Sequence, residues 1–433
     1  MEQLLHYVWK HKLFPLRTTS TAGDTQIEVI DTGLHNTDAG PDFFNAKVKI
    51  DGTLWVGNVE IHCKASEWFA HGHHKDPRYN NVILHVVAVD DATVTTSNGH
   101  TVTQTVIGVP ADVAANYDEL LSADRYPPCH RLIPVLPSIM IHSWMSALQT
   151  ERLEQKTEAL AQRAMICNGS WEDAFFITLA RNYGFGTNGD AFETWTAGNW
   201  LRHAAHHRDD LFQIEALFMG QAGLLCPESI PERRREAALQ DDYFNRLRNE
   251  YRFLANKFAL QPMDHSIWKF LRMRPQNFPH IRLAQLASLY HSRRASISRM
   301  AECESIDDLR ALMQTSVTPY WRTHYSFGLA GKDNAKHLSA RSIDLLIINT
   351  AIPTLFAYGR HRRDERLCRR ATDMLEQLQP EDNNVVRMWN ECGLKAQNAG
   401  DSQALIQLKK QYCDRKYCLR CRIGYEYLKS ERQ

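Results

Sequence analysis

The stretch KVKIDGTLWVGNVEIHCK, residues 47–64, decides the fold class of this chain. Two alternating apolar–polar runs flank Asp51-Gly52, a strong signal for a two-residue hairpin turn. Along the second run Val59, Ile61 and Cys63 share one face. Glu60, His62 and Lys64 share the other, because strand side chains alternate with a period of two. An acid, an imidazole and an amine in a row raise a sharp alternative: a solvated face, or a site.

Working outward, TQIEVIDTG, NNVILHVVAVDD and HTVTQTVIGV read as further strands between residues 25 and 109. NNVILHVVAV is apolar nearly throughout, as a central strand covered on both faces requires. The N-terminal MEQLLHYVWKHKLFP reads as an amphipathic helix ended by Pro15, and a short helix is expected near residues 74–80. Residues 1–125 are therefore expected to form an α/β domain with a mixed sheet and flanking helices. Pro127, Pro128, Pro134 and Pro137 mark residues 126–138 as a linker. Residues 139–433 carry apolar residues at three- and four-residue spacing and read as a helical domain with a cysteine-rich basic end. Cys392 is expected to sit on a helix over 382–398, paired with one over 401–412, with Gly400 ending the first and Asp401 or Ser402 capping the second. The Gly-rich YGFGTNGDAF lacks the spacing of a phosphate loop and reads as a helix–helix connection.

A chain of 433 residues calls for roughly two or three cores. Its 43% hydrophobic and 23% charged content is that of an ordinary globular protein, and a formal charge of +1 gives no global signal for a polyanion. No membrane association is expected from its apolar runs, and ten cysteines without a secretory signal point to the cytoplasm. Cys129, Cys167, Cys226, Cys303 and Cys368 read as small buried hydrophobes. Nothing in the sequence sets the oligomeric state.

Just before the hairpin, Gly40-Pro41-Asp42 enters a strand. Asp42 and Glu60 on adjacent antiparallel strands can share one divalent cation, and hard oxygen donors suit Mg²⁺ or Mn²⁺. Lys64, on the face of Glu60, can orient a water and stabilise charge building on phosphorus. A Pro-Asp entering one strand and an acid-x-Lys on the next resemble the PD-(D/E)XK, or restriction-endonuclease-like, nucleases. The helix–strand–hairpin–helix–strand order of residues 1–90 is similar to their core. The resemblance implies a metal-dependent phosphodiester hydrolase in which Asp42 and the second acid bind Mg²⁺ and Lys64 assists the attacking water. The sequence departs from that pattern at His62, two before Lys64, where the family carries an acid. Glu60 is expected to serve as ligand instead, with His62 as a second ligand or general base. His85, Asp76 and Tyr79 are expected to support the site from behind, and His71, His73 and His74 read as a polar loop. The run GPDFFNAKVKIDGTLWVGNVEIHCKASEWFAHGHHKDPRYNNVILHVV also resembles a bacterial family known only as a domain of unknown function, a likeness expected to reach the C-terminal cysteines.

Those cysteines, Cys413, Cys418 and Cys421, are spaced C-x4-C-x2-C. They suit Zn²⁺ or an iron–sulfur cluster, with Cys392 as the expected fourth ligand. The set is similar to the cluster that staples certain helicase-associated nucleases, although there the cysteines flank the nuclease core. Lys409, Lys410, Arg415, Lys416, Arg420 and Arg422 surround the motif with Tyr412 and Tyr417 between them, a pattern suited to DNA or RNA phosphates. The sequence thus reads as a nuclease-like enzyme acting on DNA or RNA. The alternative is a non-catalytic nucleic-acid-binding or scaffold protein built on a degenerate nuclease domain.

Overall fold

The hairpin forms as a primed two-residue turn: Asp51 and Gly52 both take positive φ (51° and 78°), and Ile50 pairs with Thr53 across it. A computed structural model describes residues 1–21, 23–122, 126–198 and 200–430. The chain divides into two units, Met1–Ile141 with Leu408–Gln433, and His142–Gln407.

The first unit is built on a mixed sheet. Its strands are β1 (Arg17–Thr19), β2 (Gln26–Asp31), β3 (Leu34–His35), β4 (Phe43–Ile50), β5 (Thr53–Lys64), β6 (Val82–Val89) and β7 (Gln104–Val106). They lie in the order β1-β2-β4-β5-β6-β7, with β3 beside β4. Strands β1 to β5 pair antiparallel, whereas β5–β6 and β6–β7 are parallel. A parallel step needs a crossover, here α2 (Glu67–Ala70) and two 3-10 turns, His73–Lys75 and Pro77–Tyr79. The single short helix expected near 74–80 is thus two 3-10 turns, with α2 before them.

Helix α1 (Glu2–Lys10) covers one sheet face, burying Leu5, Val8 and Trp9 against Val59, Ile61, Leu84 and Val86. Each such side chain contributes about 1.5–3 kcal/mol by leaving water. Trp9 stacks on Phe14 at 5.0 Å and donates its indole N–H to Thr32 O at 3.1 Å. Central strand β6 is buried through its middle, as its unbroken apolar run requires.

The boundaries differ from the sequence reading in two places. Pro110 caps the start of a regular helix, α3 (Ala111–Leu121), because a proline tolerated before the first turn costs no hydrogen bond. The expected boundary at 125 borders residues 123–125, which lie outside the described residues. The C-terminal segment returns to the sheet unit rather than closing the helical one. Its last helix, Arg422–Lys429, packs on α3, where the Asn116 amide donates to Tyr427 O at 3.2 Å and Ser430 O at 3.0 Å. Tyr7 of α1 meets the Tyr425 ring at 6.2 Å.

The second unit is helical around one aromatic core that includes Phe175, Phe192, Trp195, Phe218, Phe244, Trp321 and Phe327. The run 232–258 is two helices, Glu232–Gln240 and Asp242–Phe258, parted by Asp241, whose carboxylate caps the second. Ala340–Arg362 is long and apolar enough to cross a membrane, but 67% of its apolar window is buried in the protein, as in a core helix. Pro353 gives this helix a π turn at Ile347–Ala351. Asn349 O, left without a Pro353 N–H, accepts from the Asn182 amide at 3.0 Å.

Candidate metal centre

The second face of β5 is not a solvated face. Glu60 is 5% exposed and His62 1% exposed, and Trp68 of α2 packs on the neighbouring rings of His73 and His85 at 5.4 and 5.2 Å. Of Glu60, His62 and Lys64, only Lys64, at the end of the strand, is exposed.

A bulge in β4 sets the carboxylates side by side. Asn45 takes a positive φ (56°), and the register slips between Phe43↔Val59 and Ala46↔Gly57. Phe43 then enters the core, while Asp42 comes against Glu60. The Asp42 N–H donates to Glu60 Oε2 at 3.1 Å, and Asp42 Oδ2 accepts from the Ile61 N–H at 2.9 Å. Gly33 makes the bulge possible: a Cβ there would stand 2.5 Å from Phe44 O.

Four imidazoles complete the cluster. Glu60 Oε1 lies 3.1 Å from His73 Nε2 and 3.6 Å from His62 Nε2. His62 Nδ1 is 2.8 Å from His85 Nε2, the register partner of Glu60 being His85, and His62 Nε2 is 3.1 Å from His71 Nδ1. Tyr79 stacks on His73 at 3.8 Å. On the far side His6 Nε2 stands 3.4 Å from Asp42 Oδ2. Burial disfavours the charged forms of Glu60, Asp42, His62, His73 and His85. Burial, then the Asp42 charge, pushes the Glu60 carboxyl far above its usual range, and burial likewise raises Asp42. Burial and the neighbouring imidazoles hold His62 and His85 far below an ordinary histidine, and burial depresses His73.

The donor set fits a divalent cation. The ligand nitrogens of His62, His71 and His73 lie within 4.8 Å of one another, and Glu60 Oε1 adjoins two of them. His73 Nε2 is buried, with the Glu60 carboxylate at 3.1 Å as its close polar neighbour. Neutral imidazoles beside crowded carboxylates are poised for a cation, which reverses the penalty on the ionised acids. With nitrogen among the donors, Mn²⁺ or Zn²⁺ matches the set better than the all-oxygen preference of Mg²⁺.

Of the residues singled out in the sequence, the structure brings together Asp42, Glu60, His62, His85 and Tyr79. Asp76 turns its carboxylate to Arg78 at 2.6 Å and acts on His73 only through its charge. Lys64 sits four residues beyond Glu60, ~13 Å along an extended strand, and its charge acts on Asp91. His71 and His73 belong to the cluster, not to a polar loop. Their signal was the HGHH run itself, following the strand that carries Glu60 and His62.

The cysteines assemble differently from the sequence expectation. Cys413, Cys418 and Cys421 line a cavity of about 260 Å³ in the first unit, and the fourth cysteine lining it is Cys129, from the 3-10 turn Pro128–Arg131. Cys392 is buried in the helical unit, at the end of helix Asn384–Glu391. Gly393, at φ 97°, ends that helix, and the next begins at Ala399, where Asn398 accepts from the Asp401 N–H. Gly400 therefore lies inside the second helix instead of terminating the first. Around the cavity Lys410, Arg415, Lys416, Arg420 and Arg422 are exposed, and Lys409 pairs with Asp414. Arg420 lies over the Tyr417 ring at 5.2 Å.

A family model described as a protein of unknown function (DUF2851) matches residues 2–384, stopping short of the C-terminal cysteines that the family likeness was expected to reach. No curated protein and no solved structure matches the chain.

Proposed function

The chain belongs to the DUF2851 family, and we propose that it is a metal-dependent phosphodiester hydrolase acting on DNA or RNA. The observation that carries this reading is the buried pairing of Asp42 with Glu60 beside three clustered imidazoles. A stable fold has no use for such a cluster, since burying ionisable groups without full pairing costs several kcal/mol. Two further features support a nuclease. The order α1, β2, β4–β5 hairpin, α2, β6 is compatible with the core that the resemblance to restriction-endonuclease-like nucleases implies. Positive charge also lies near: Lys10 and Arg420 both act on His35, whose ring packs on Phe43, the residue after Asp42.

Glu60, His62 and His73 would hold the cation, with Asp42 on the side open to substrate. A cation held there supplies Lewis-acid stabilisation of the charge that develops on a scissile phosphate. The protein's own groups do the rest. His85 fixes the His62 ring through Nδ1, so that Nε2 faces Glu60. His71, the exposed member of the imidazole chain, accepts the proton of the attacking water and passes it to solvent. Lys64 lies too far along β5 to touch the reacting centre, and it contacts a flanking phosphate instead.

Incubating the purified chain with single- and double-stranded DNA and RNA in Mn²⁺ tests this reading. Cleavage that disappears with chelator, and falls by more than ~100-fold in Glu60→Gln, is the expected result. Binding without cleavage under every metal would leave the scaffold reading in its place.

A further inference from the structure

We propose that Cys129, Cys413, Cys418 and Cys421 together ligate a four-iron iron–sulfur cluster that ties the turn Pro128–Arg131 to the C-terminal segment. The four cysteines come from two distant parts of the chain, yet all line one cavity. They are also electrostatic neighbours: Cys421, Cys413 and Cys418 each act on Cys129, and Cys421 and Cys418 act on Cys413. No disulfide joins these four cysteines.

Size selects the occupant. One zinc ion with Zn–S near ~2.3 Å would draw four thiolates to about 3.8 Å from one another. The four cysteines line a space of about 260 Å³, more room than a single ion fills. A four-iron cluster, bound at its outer corners by four thiolates, suits a space of that size. Its negative charge would be met by Lys416, which lines the same cavity, while Lys409 there is paired with Asp414.

The backbone is shaped for the task. Lys416 takes a left-handed φ (56°) between the first two cysteines, and the Cys421 N–H donates to Cys418 O at 3.2 Å, closing the C-x2-C turn. Gly424 is required beneath it, because a Cβ there would stand 2.3 Å from Cys418 O. The assignment is independent of the hydrolytic site and stands or falls without it.

The test uses the full chain, purified anaerobically and reconstituted with ferrous iron and sulfide. About four iron and four labile sulfide per chain, with a broad visible absorption bleached by dithionite, are expected. Cys129→Ser should lose more than half of the iron, and Cys392→Ser should keep it. If Cys129→Ser does not fold, Cys418→Ser, at a half-buried position, carries the test with circular dichroism as the control. A colourless protein with one zinc per chain overturns the cluster, as does a protein whose four thiols react freely in the native state. Iron lost in Cys392→Ser but kept in Cys129→Ser overturns the ligand assignment.

Discussion

Glu60 concentrates the physical argument, because a carboxyl so buried holds its proton until something positive replaces it. Its pKa is pushed up to about 9 from 4.5 by burial and by Asp42. In the metal-free protein the folded state therefore binds a proton more tightly than the unfolded chain. That contribution to stability is complete below pH 4.5 and is lost as pH rises toward 9. Glu60→Gln should flatten this alkaline decline, read as the denaturation midpoint of chelator-treated protein against pH. Metal binding near pH 7 should release on the order of one proton, measured by calorimetry in buffers of different ionisation enthalpy; no release would mean that Glu60 is already ionised. At this scale the sequence was informative about identity and poor about environment. Alternation placed Glu60 and His62 on one face, but only the folded structure shows that both are buried. Lys64 illustrates the limit of a motif: the spacing places it on the right face, while strand rise carries it away from the carboxylates.

Elements were legible where local chemistry dominates. Asp51-Gly52 dictated the hairpin, and β5 runs from Thr53 to Lys64 as its alternation implies. The C-terminal segment was not legible, because its place depends on contacts with residues hundreds of positions away. The Asn116 amide serves carbonyls at the end of helix Arg422–Lys429. Asn116→Ala leaves those buried acceptors unmet and should cost about 1–3 kcal/mol. Urea unfolding followed by tryptophan fluorescence checks this; an unchanged midpoint would mean that the last helix is not docked on α3. Cys129 was missed for the same reason: alone among prolines it looks like a buried apolar residue, and only folding brings it to Cys413, Cys418 and Cys421.

Over the whole molecule, the sheet unit holds the carboxylate–histidine cluster and the helical unit has its own core. His280 lies in that second core, packed near Phe270, Trp321 and Phe327. Burial lowers its pKa to about 3 from 6.5, so its stabilising contribution, full above pH 6.5, fades as pH falls toward 3. His280→Phe keeps the aromatic packing and should flatten the acid limb of thermal stability, an effect scanning calorimetry resolves. The division into units was visible as a change from strand to helix periodicity, but its C-terminal boundary was not, since periodicity reports local structure and says nothing of which core a helix joins. The central claim is that the carboxylate–histidine cluster binds a divalent cation, and anomalous diffraction from crystals soaked in Mn²⁺ tests it most directly. The account predicts one strong peak in contact with the Glu60 carboxylate and His73 Nε2, with Asp42 beside it. A map from saturating Mn²⁺ with no peak in that cluster would contradict it.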